Sequence, residues 1–331
     1  ELRDALARLA EGFAPRRRSD LARLPIDRVF TLKGHGTVVT GTLLAGTLRL
    51  GDDVCLYPSG LRSKIRSLQS HGEPVEESPA GRRTAVNLAG LDIGQIERGE
   101  VLARPGTLFP ESAWEVELSC LAGAPRAIKH RTEVHFHHGT REIQARVHLL
   151  DRDKLEPGQT AICQIRLPEP MAGVYGDRVV LRSGAPLKTV AGGRVLSPMA
   201  RKLKRFDEGV TATLTELATA EDEALVALQL ARAGTDGLGF ARLMTLTDLE
   251  SKALSRTLTA LGDKGEAALV DREGKEGRHY VHGSVLTDLA ATLVSFVADA
   301  HRRTPLKIGI SRSELASTWG KGLSPKLFHF M

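Results

Sequence analysis

Asp27, Arg28 and Arg83 bring a carboxylate and two guanidinium groups to segments with a strand-like pattern. By spacing alone they read as an ordinary Asp–Arg pair bracing a barrel rim. Gly36-Thr37-Val38-Val39-Thr40-Gly41-Thr42 imitates the Gly-x-x-x-x-Gly opening of a phosphate-binding loop. Such a loop continues with Lys, and Thr42 stands there instead. The flanks are also strand-like, where a phosphate loop enters a helix. The sequence has no Asn-Lys-x-Asp guanine reader and no Asp-x-x-Gly switch in a suitable context. His135, His137 and His138 invite a metal reading, since His135 and His137 share one face of a strand. No Cys, Asp or Glu pattern completes the three or four ligands that zinc takes. The three read as a surface cluster on a barrel, and no metal site is expected.

These residues must be positioned by short strands. Ile26, Arg28, Phe30 and Leu32 alternate with Asp27, Val29 and Thr31, then a Gly34-His35-Gly36 turn leads into Val38 and Val39. Thr47 to Val54 reads as strand, tight turn, strand. Val54–Tyr57, Leu61–Leu68, Arg83–Leu88 and Ile96–Leu102 continue the pattern. A second β-rich block carries strands at Trp114–Leu118, Glu133–His138, Arg141–Leu150, Thr160–Leu167, Asp177–Arg182 and Val190–Leu196. Strands at this spacing, with Gly and Pro turns, suit closed antiparallel barrels that leave no exposed edge.

After Pro198 the periodicity becomes helical. One long helical pattern runs from Ala212 to Arg232, and a short helix covers Phe240–Met244. A third helix carries Leu249, Leu254, Leu258 and Leu261, with Thr247 or Asp248 as its cap. Ala267–Asp271 and His279–Val281 then form a hairpin, which completes a winged helix. A new helix begins near Val285, and Pro305–Leu315 starts a second copy. Lys252, Arg256 and Lys264 on the third helix are mixed with Asp248, Glu250 and Asp263, which argues against strong phosphate binding.

The 331 residues suggest two to three domains, and 41% hydrophobic with 26% charged residues fits a globular protein. A formal charge of +6 favours an anionic partner such as RNA, while 4% aromatic content argues against widespread base stacking. Cys55, Cys120 and Cys163 are far apart and odd in number, with no disulfide framework or Cys-x-x-Cys knuckle. They read as small buried hydrophobes, and a reducing cytoplasm is the simplest compartment. No uninterrupted apolar run approaches 18 residues, and the start lacks a signal-peptide layout. The chain starts mid-helix without Met, and is expected to be a fragment cut at both ends.

The run Leu24-Pro25-Ile26-Asp27-Arg28-Val29-Phe30, followed by Lys33-Gly34-His35-Gly36-Thr37-Val38-Val39-Thr40-Gly41-Thr42, resembles the second domain of translational GTPases. It is most similar to the selenocysteine-specific elongation factors (SelB). Ile96-Glu97-Arg98-Gly99-Glu100-Val101-Leu102 resembles the strand that closes that barrel. Asp177–Arg182 and Val190–Leu196 resemble closing strands of the third domain of factor Tu-like proteins.

The resemblance implies a mainly β then α architecture: two antiparallel barrels followed by winged-helix modules. Residues 1–12 would end the last helix of a GTPase domain absent from this chain. Residues 13–23 form a linker, and Pro15-Arg16-Arg17-Arg18-Ser19 reads as a solvated hinge, with a phosphate contact as the alternative. Residues 24–105 and 108–200 are the two barrels, and residues 201–210 a basic hinge. Residues 211–283 are the first winged helix and 284–331 a truncated second.

The same likeness implies that Asp27, Arg28 and Arg83, the last within Gly81-Arg82-Arg83-Thr84-Ala85-Val86-Asn87, line a pocket for the selenocysteinyl group, with His35 as a weaker member. A selenolate is anionic at neutral pH, and guanidinium groups favour it over a neutral seryl group. His137, His138 and Arg141 are candidate tRNA contacts. Implied partners are selenocysteinyl-tRNA, the ribosome and, through terminal modules, a selenoprotein mRNA hairpin, with no membrane. GTP and Mg would serve the full-length family member only, so whether this chain is an enzyme stays open. The rivals are another factor Tu-class GTPase and a winged-helix DNA-binding regulator. The barrel motif and the lack of a basic recognition helix weigh against the regulator.

Overall fold

The computed structural model describes residues 2–11, 19–32, 36–184, 187–274 and 277–331. His35, Gly12 and most of the 13–23 linker lie outside the described residues. A first helix, α1 (Leu2–Glu11), precedes the barrels.

The first barrel is built from β1 (Arg23–Leu32), β2 (Gly36–Thr42), β3 (Asp53–Tyr57), β4 (Arg62–Ser70), β5 (Arg83–Leu88) and β6 (Val101–Ala103). Its order is β3-β6-β1-β2-β5-β4, closed by pairing of β3 with β4. Leu24, Ile26, Val39, Leu56, Leu68 and Leu88 fill it. Burying each such side chain is worth about 1.5–3 kcal/mol. The simple alternation expected along β1 does not hold. A bulge between Ile26 and Arg28 shifts the register against β2. Ile26 is buried and Val29 packs on the core, while Phe30 is turned out to solvent. A bulge adds one residue to one strand and re-aims the side chains that follow. Gly36–Thr42 is a strand paired on both sides. Gly41 lies against β1: a Cβ there would stand 2.1 Å from the Pro25 carbonyl oxygen, so the glycine serves close strand approach.

The second barrel is built from β7 (Glu111–Cys120), β8 (Thr132–His138), β9 (Arg141–Leu149), β10 (Thr160–Met171), β11 (Arg178–Arg182) and β12 (Thr189–Ser197). These close in the order β7-β10-β9-β8-β11-β12. Trp114 and Phe136 meet edge to face at its centre, with ring centroids 5.7 Å apart. Cys55, Cys120 and Cys163 are all buried, and burial pushes their thiols up.

A seam of Cys55, Tyr57, Val101, Ala103, Leu108, Ala172 and Val174 joins the barrels. Beside it lies an ionic node. Arg23 donates to Asp177 at 2.8 and 3.1 Å, His138 Nε2 lies 2.9 Å from the same carboxylate, and the Val174 amide donates to it at 3.0 Å. Burial would raise the Asp177 pKa, but the Arg23 charge and His138 outweigh it and hold Asp177 far below the usual carboxylate range.

The expected single long helix over 212–232 is two: α2 (Glu208–Thr219) and α3 (Asp222–Ala233), parted at Ala220 and Glu221. α2 packs Leu214 and Leu217 beside Leu150 of the second barrel. The winged module proper is α3, α4 (Phe240–Thr247), α5 (Ser251–Asp263) and the hairpin β13 (Ala267–Gly274) with β14 (Gly277–His282), joined by Leu238–Gly239. Leu21, ahead of the first barrel, is buried in this module's core. The module is pinned to the barrels by Arg232 with Glu115 at 2.6 and 2.8 Å, and by the Tyr175 amide donating to the Thr245 carbonyl at 2.9 Å.

A second module follows with α6 (Gly283–Arg303), α7 (Arg312–Ser317) and α8 (Pro325–Phe330). By length and composition α6 is apolar enough to cross a membrane, although its apolar residues do not form an uninterrupted run. It nevertheless carries Asp288 and Asp299, and its Thr292 hydroxyl accepts from Trp319 Nε1 at 3.1 Å.

Candidate functional site

Three adjacent strands of the first barrel bring Asp27, Thr40 and Arg83 together. Arg28 pairs with Thr40 across β1 and β2, and Thr42 with Arg83 across β2 and β5. The bulge at Asp27 tips its carboxylate toward this group. Thr40 Oγ1 donates to Asp27 Oδ1 at 2.7 Å. Arg83 donates one amino group to Asp27 Oδ1 at 3.0 Å and the other to Oδ2, and reaches Thr40 Oγ1 at 3.2 Å. Burial raises the Asp27 pKa, but hydrogen bonds from Arg83 and Thr40, with the charges of Arg83 and Arg28, hold it below its ordinary value. The Arg83 guanidinium is raised by its hydrogen bonds to Asp27. It remains half exposed, so it is oriented but open to solvent.

Arg28 is exposed beside this pair and has no ion-pair partner among the described residues. The rim therefore offers one guanidinium held in place and one free. Thr40 was not foreseen. The signal was its place opposite Arg28 once β1 and β2 are paired.

The other candidates are placed differently. His138 is buried against Asp177 and edge-on to Trp114 at 4.9 Å. Arg141 is largely buried, engaged with Glu97 and Glu169, and packed over Gly99, where a Cβ would come within 2.8 Å. His137 is half-buried, and Glu142 lies near both it and His135. His138 and Arg141 thus belong to the seam between barrels, not to an open face. Among the described residues no group of three or more His, Cys, Asp or Glu is placed to hold a metal ion.

A second cationic feature has no counterpart in the sequence motifs. Arg131, Arg146, Arg166, His148, Gln144 and Glu133 are among the residues lining a groove of about 640 Å³ on the second barrel. Arg146 and Arg166 are directly opposed across β9 and β10. Like charges so placed are destabilising unless an anion offsets them. Glu133 takes two hydrogen bonds from Arg146, at 3.0 and 2.7 Å. His148 is buried against His130, and burial with the surrounding arginine charges pushes its pKa down to about 4.

Known proteins share these domains. The family description "Selenocysteine-specific elongation factor, beta-barrel domain" matches residues 115–202, "Elongation factor Tu domain 2" matches 36–103, and "Elongation factor SelB, winged helix" matches 294–331. The selenocysteine-specific elongation factor of Desulfomicrobium baculatum is 54% identical over 331 residues, covering 100% of this chain and 52% of that protein. That of Haemophilus influenzae is 33% identical over 260 residues, 78% of this chain and 40% of that protein. The crystal structure of a bacterial selenocysteine-specific elongation factor, EF-Sec, superposes with a TM-score of 0.74 at 22% identity, over 99% of this chain and 50% of that one. This last likeness speaks for the fold alone. The chain spans about half the length of the first of these relatives, and less of the second. Its two barrels and its winged helix thus match domains of the selenocysteine-specific elongation factors.

Proposed function

We propose that the first barrel's rim holds the aminoacyl end of selenocysteinyl-tRNA and the second barrel's groove holds the RNA arm. The whole factor would deliver that tRNA to the ribosome at UGA codons in the cytoplasm, in a GTP-dependent way. The observation that carries this reading is the Asp27–Thr40–Arg83 arrangement with Arg28 free beside it. A guanidinium held at a fixed angle, with a second one unpaired, suits an anionic side chain at the end of a nucleic acid. Charge-assisted hydrogen bonds of this kind are about twice as strong as neutral ones. A seryl group carries no charge at neutral pH and gains less. The groove suits phosphate, since Glu133 offsets Arg146 and leaves Arg131 and Arg166 without an ion-pair partner among the described residues.

The Gly36–Thr42 segment does not fit a guanine nucleotide. Gly36–Thr42 is a paired strand whose amides serve the sheet, so GTP and Mg2+ would be held outside the described residues. The mRNA hairpin is likewise assigned to modules other than the first winged helix.

The test is binding of selenocysteinyl-tRNA and seryl-tRNA to the 331-residue chain, with Arg28→Ala and Arg83→Ala variants. Removing a charge-assisted hydrogen bond costs about 1.5–3 kcal/mol, so each variant weakens the selenocysteinyl form by roughly tenfold or more. Equal weakening for both tRNAs would make these arginines general backbone contacts and refute the charge-reading role.

A further inference from the structure

The helix α5 has mixed charge in sequence, and on that ground it reads as a poor nucleic-acid contact. The fold sorts those charges. Lys264, at the C-terminal end, is ion-paired with Glu223 of α3. Lys252 and Arg256, one turn apart, line a shallow depression of about 460 Å³ with Phe240, Ser251, Ser255 and Arg278. Arg278 comes from β14. Its guanidinium lies over the Phe240 ring, 5.0 Å from the centroid, and donates to Ser255 Oγ at 3.1 Å. Lys252, Arg256 and Arg278 have no ion-pair partner among the described residues. None of the six lining residues is acidic. The nearby carboxylates stand at the helix start, where Asp20 takes the amide and hydroxyl of Ser251, and exposed Glu250 is the N-cap.

We propose that this face of the first winged module binds the phosphate backbone of a folded RNA, at a place separate from the barrel rim and the barrel groove. Residues four apart on a helix have Cβ atoms about 5–6 Å apart, so Lys252 and Arg256 can engage neighbouring phosphates of one strand. Arg278 is already stacked and hydrogen-bonded, so it gives up little side-chain freedom when it takes a third phosphate. The helix and hairpin of a winged fold are the elements that meet a nucleic-acid duplex. Double-stranded RNA is met largely through shape and backbone, which needs cations and hydroxyls rather than base readers. Ser251 and Ser255 supply the hydroxyls beside the cations. The Arg232–Glu115 pair and the Tyr175–Thr245 hydrogen bond fix this face relative to the second barrel. The choice of RNA among polyanions rests on the family reading above.

The test is a salt series for an unbulged RNA hairpin binding to the full 331-residue chain, read by fluorescence anisotropy. Three proteins are compared: the wild type, Lys252→Ala/Arg256→Ala, and the barrel variant Arg146→Ala/Arg166→Ala. For each phosphate that is no longer neutralised, the slope of log K against log salt becomes shallower by roughly 0.9. The expected result is a shallower slope and about fivefold or more weaker binding at 0.1 M KCl for the α5 variant, by the same counterion release. The barrel variant keeps part of its hairpin binding. Arg278→Lys, which keeps the charge but not the stacked fork, is expected to fall between. An α5 variant with wild-type slope and affinity overturns the proposal. So does a barrel variant that abolishes all binding, which leaves the barrel reading intact. Weakening in the α5 variant alone would uphold the proposal and count against the barrel groove. Displacement of the hairpin by an oligo-aspartate peptide at equal charge would also overturn it, making this a docking face for acidic protein.

Discussion

Asp20 and Ser251 are 231 positions apart, yet the Asp20 carboxylate accepts from the Ser251 amide at 2.9 Å and from its hydroxyl at 2.6 Å. The segment ahead of the first barrel thereby caps α5 of the winged module, and Leu21 next to it is buried in that module's core. The winged module is therefore part of one packed body with the barrels, not a loosely tethered spacer.

Removing the cap is expected to loosen α5 alone. Asp20→Ala leaves the Ser251 amide and hydroxyl without their acceptor, which costs about 1 kcal/mol. Hydrogen exchange in the first turn of α5 should quicken by about fivefold, while barrel amides stay protected. Unchanged exchange at Ser251 would show that the cap carries no stability.

Asp177 sets the response of the seam to acid. Its native pKa lies below the unfolded carboxylate value of about 3.9. Its contribution is complete above that value and is lost as the pH falls below it, since the unfolded chain then binds more protons. Asp177→Asn should flatten this part of the acid limb. It also breaks the buried Arg23–Asp177 pair, at about 3–5 kcal/mol. Urea titrations at pH 7 and at pH 3.5 measure both effects.

His148 should titrate near pH 4 by NMR, well below the unfolded imidazole near 6.5. Between those values the unfolded chain binds more protons, so stability falls as the pH drops from about 6.5 toward 4. His148→Gln should remove that slope. Phosphate or RNA seated among Arg131, Arg146 and Arg166 should move the midpoint upward. A midpoint that ignores added anion would count against the groove as an anion site.

Both barrels were legible from period-two patterning and Gly turns, and nearly every strand lies where alternation put it. The bulge at Asp27 was not, because the alternation from Ile26 to Leu32 runs on in sequence while the paired strand slips by one residue. That slip turns Phe30 outward and sets Asp27 against Thr40 and Arg83. The break between α2 and α3 was hidden because Leu214, Leu217 and Leu225 keep helical spacing across Ala220 and Glu221, with neither Gly nor Pro to mark it. Asp27, Arg28 and Arg83 were read from their motif. The burial of His138 and Arg141 was not visible in sequence because their partners Asp177, Glu97 and Glu169 are 28 to 44 positions away. The opposed Arg146 and Arg166 become visible only once β9 and β10 are in register.

The reading of side-chain charge at the rim is tested most directly by the affinity of the chain for selenocysteinyl-, cysteinyl- and seryl-tRNA between pH 6 and 8.5. A cysteine thiol has a pKa of about 8.5 and a serine hydroxyl does not ionise in this range. With Arg28 and Arg83 reading charge, selenocysteinyl-tRNA binds most tightly throughout. Cysteinyl-tRNA gains affinity toward it as the pH rises, and seryl-tRNA stays flat. Equal affinity for all three at every pH would contradict a charge-reading rim.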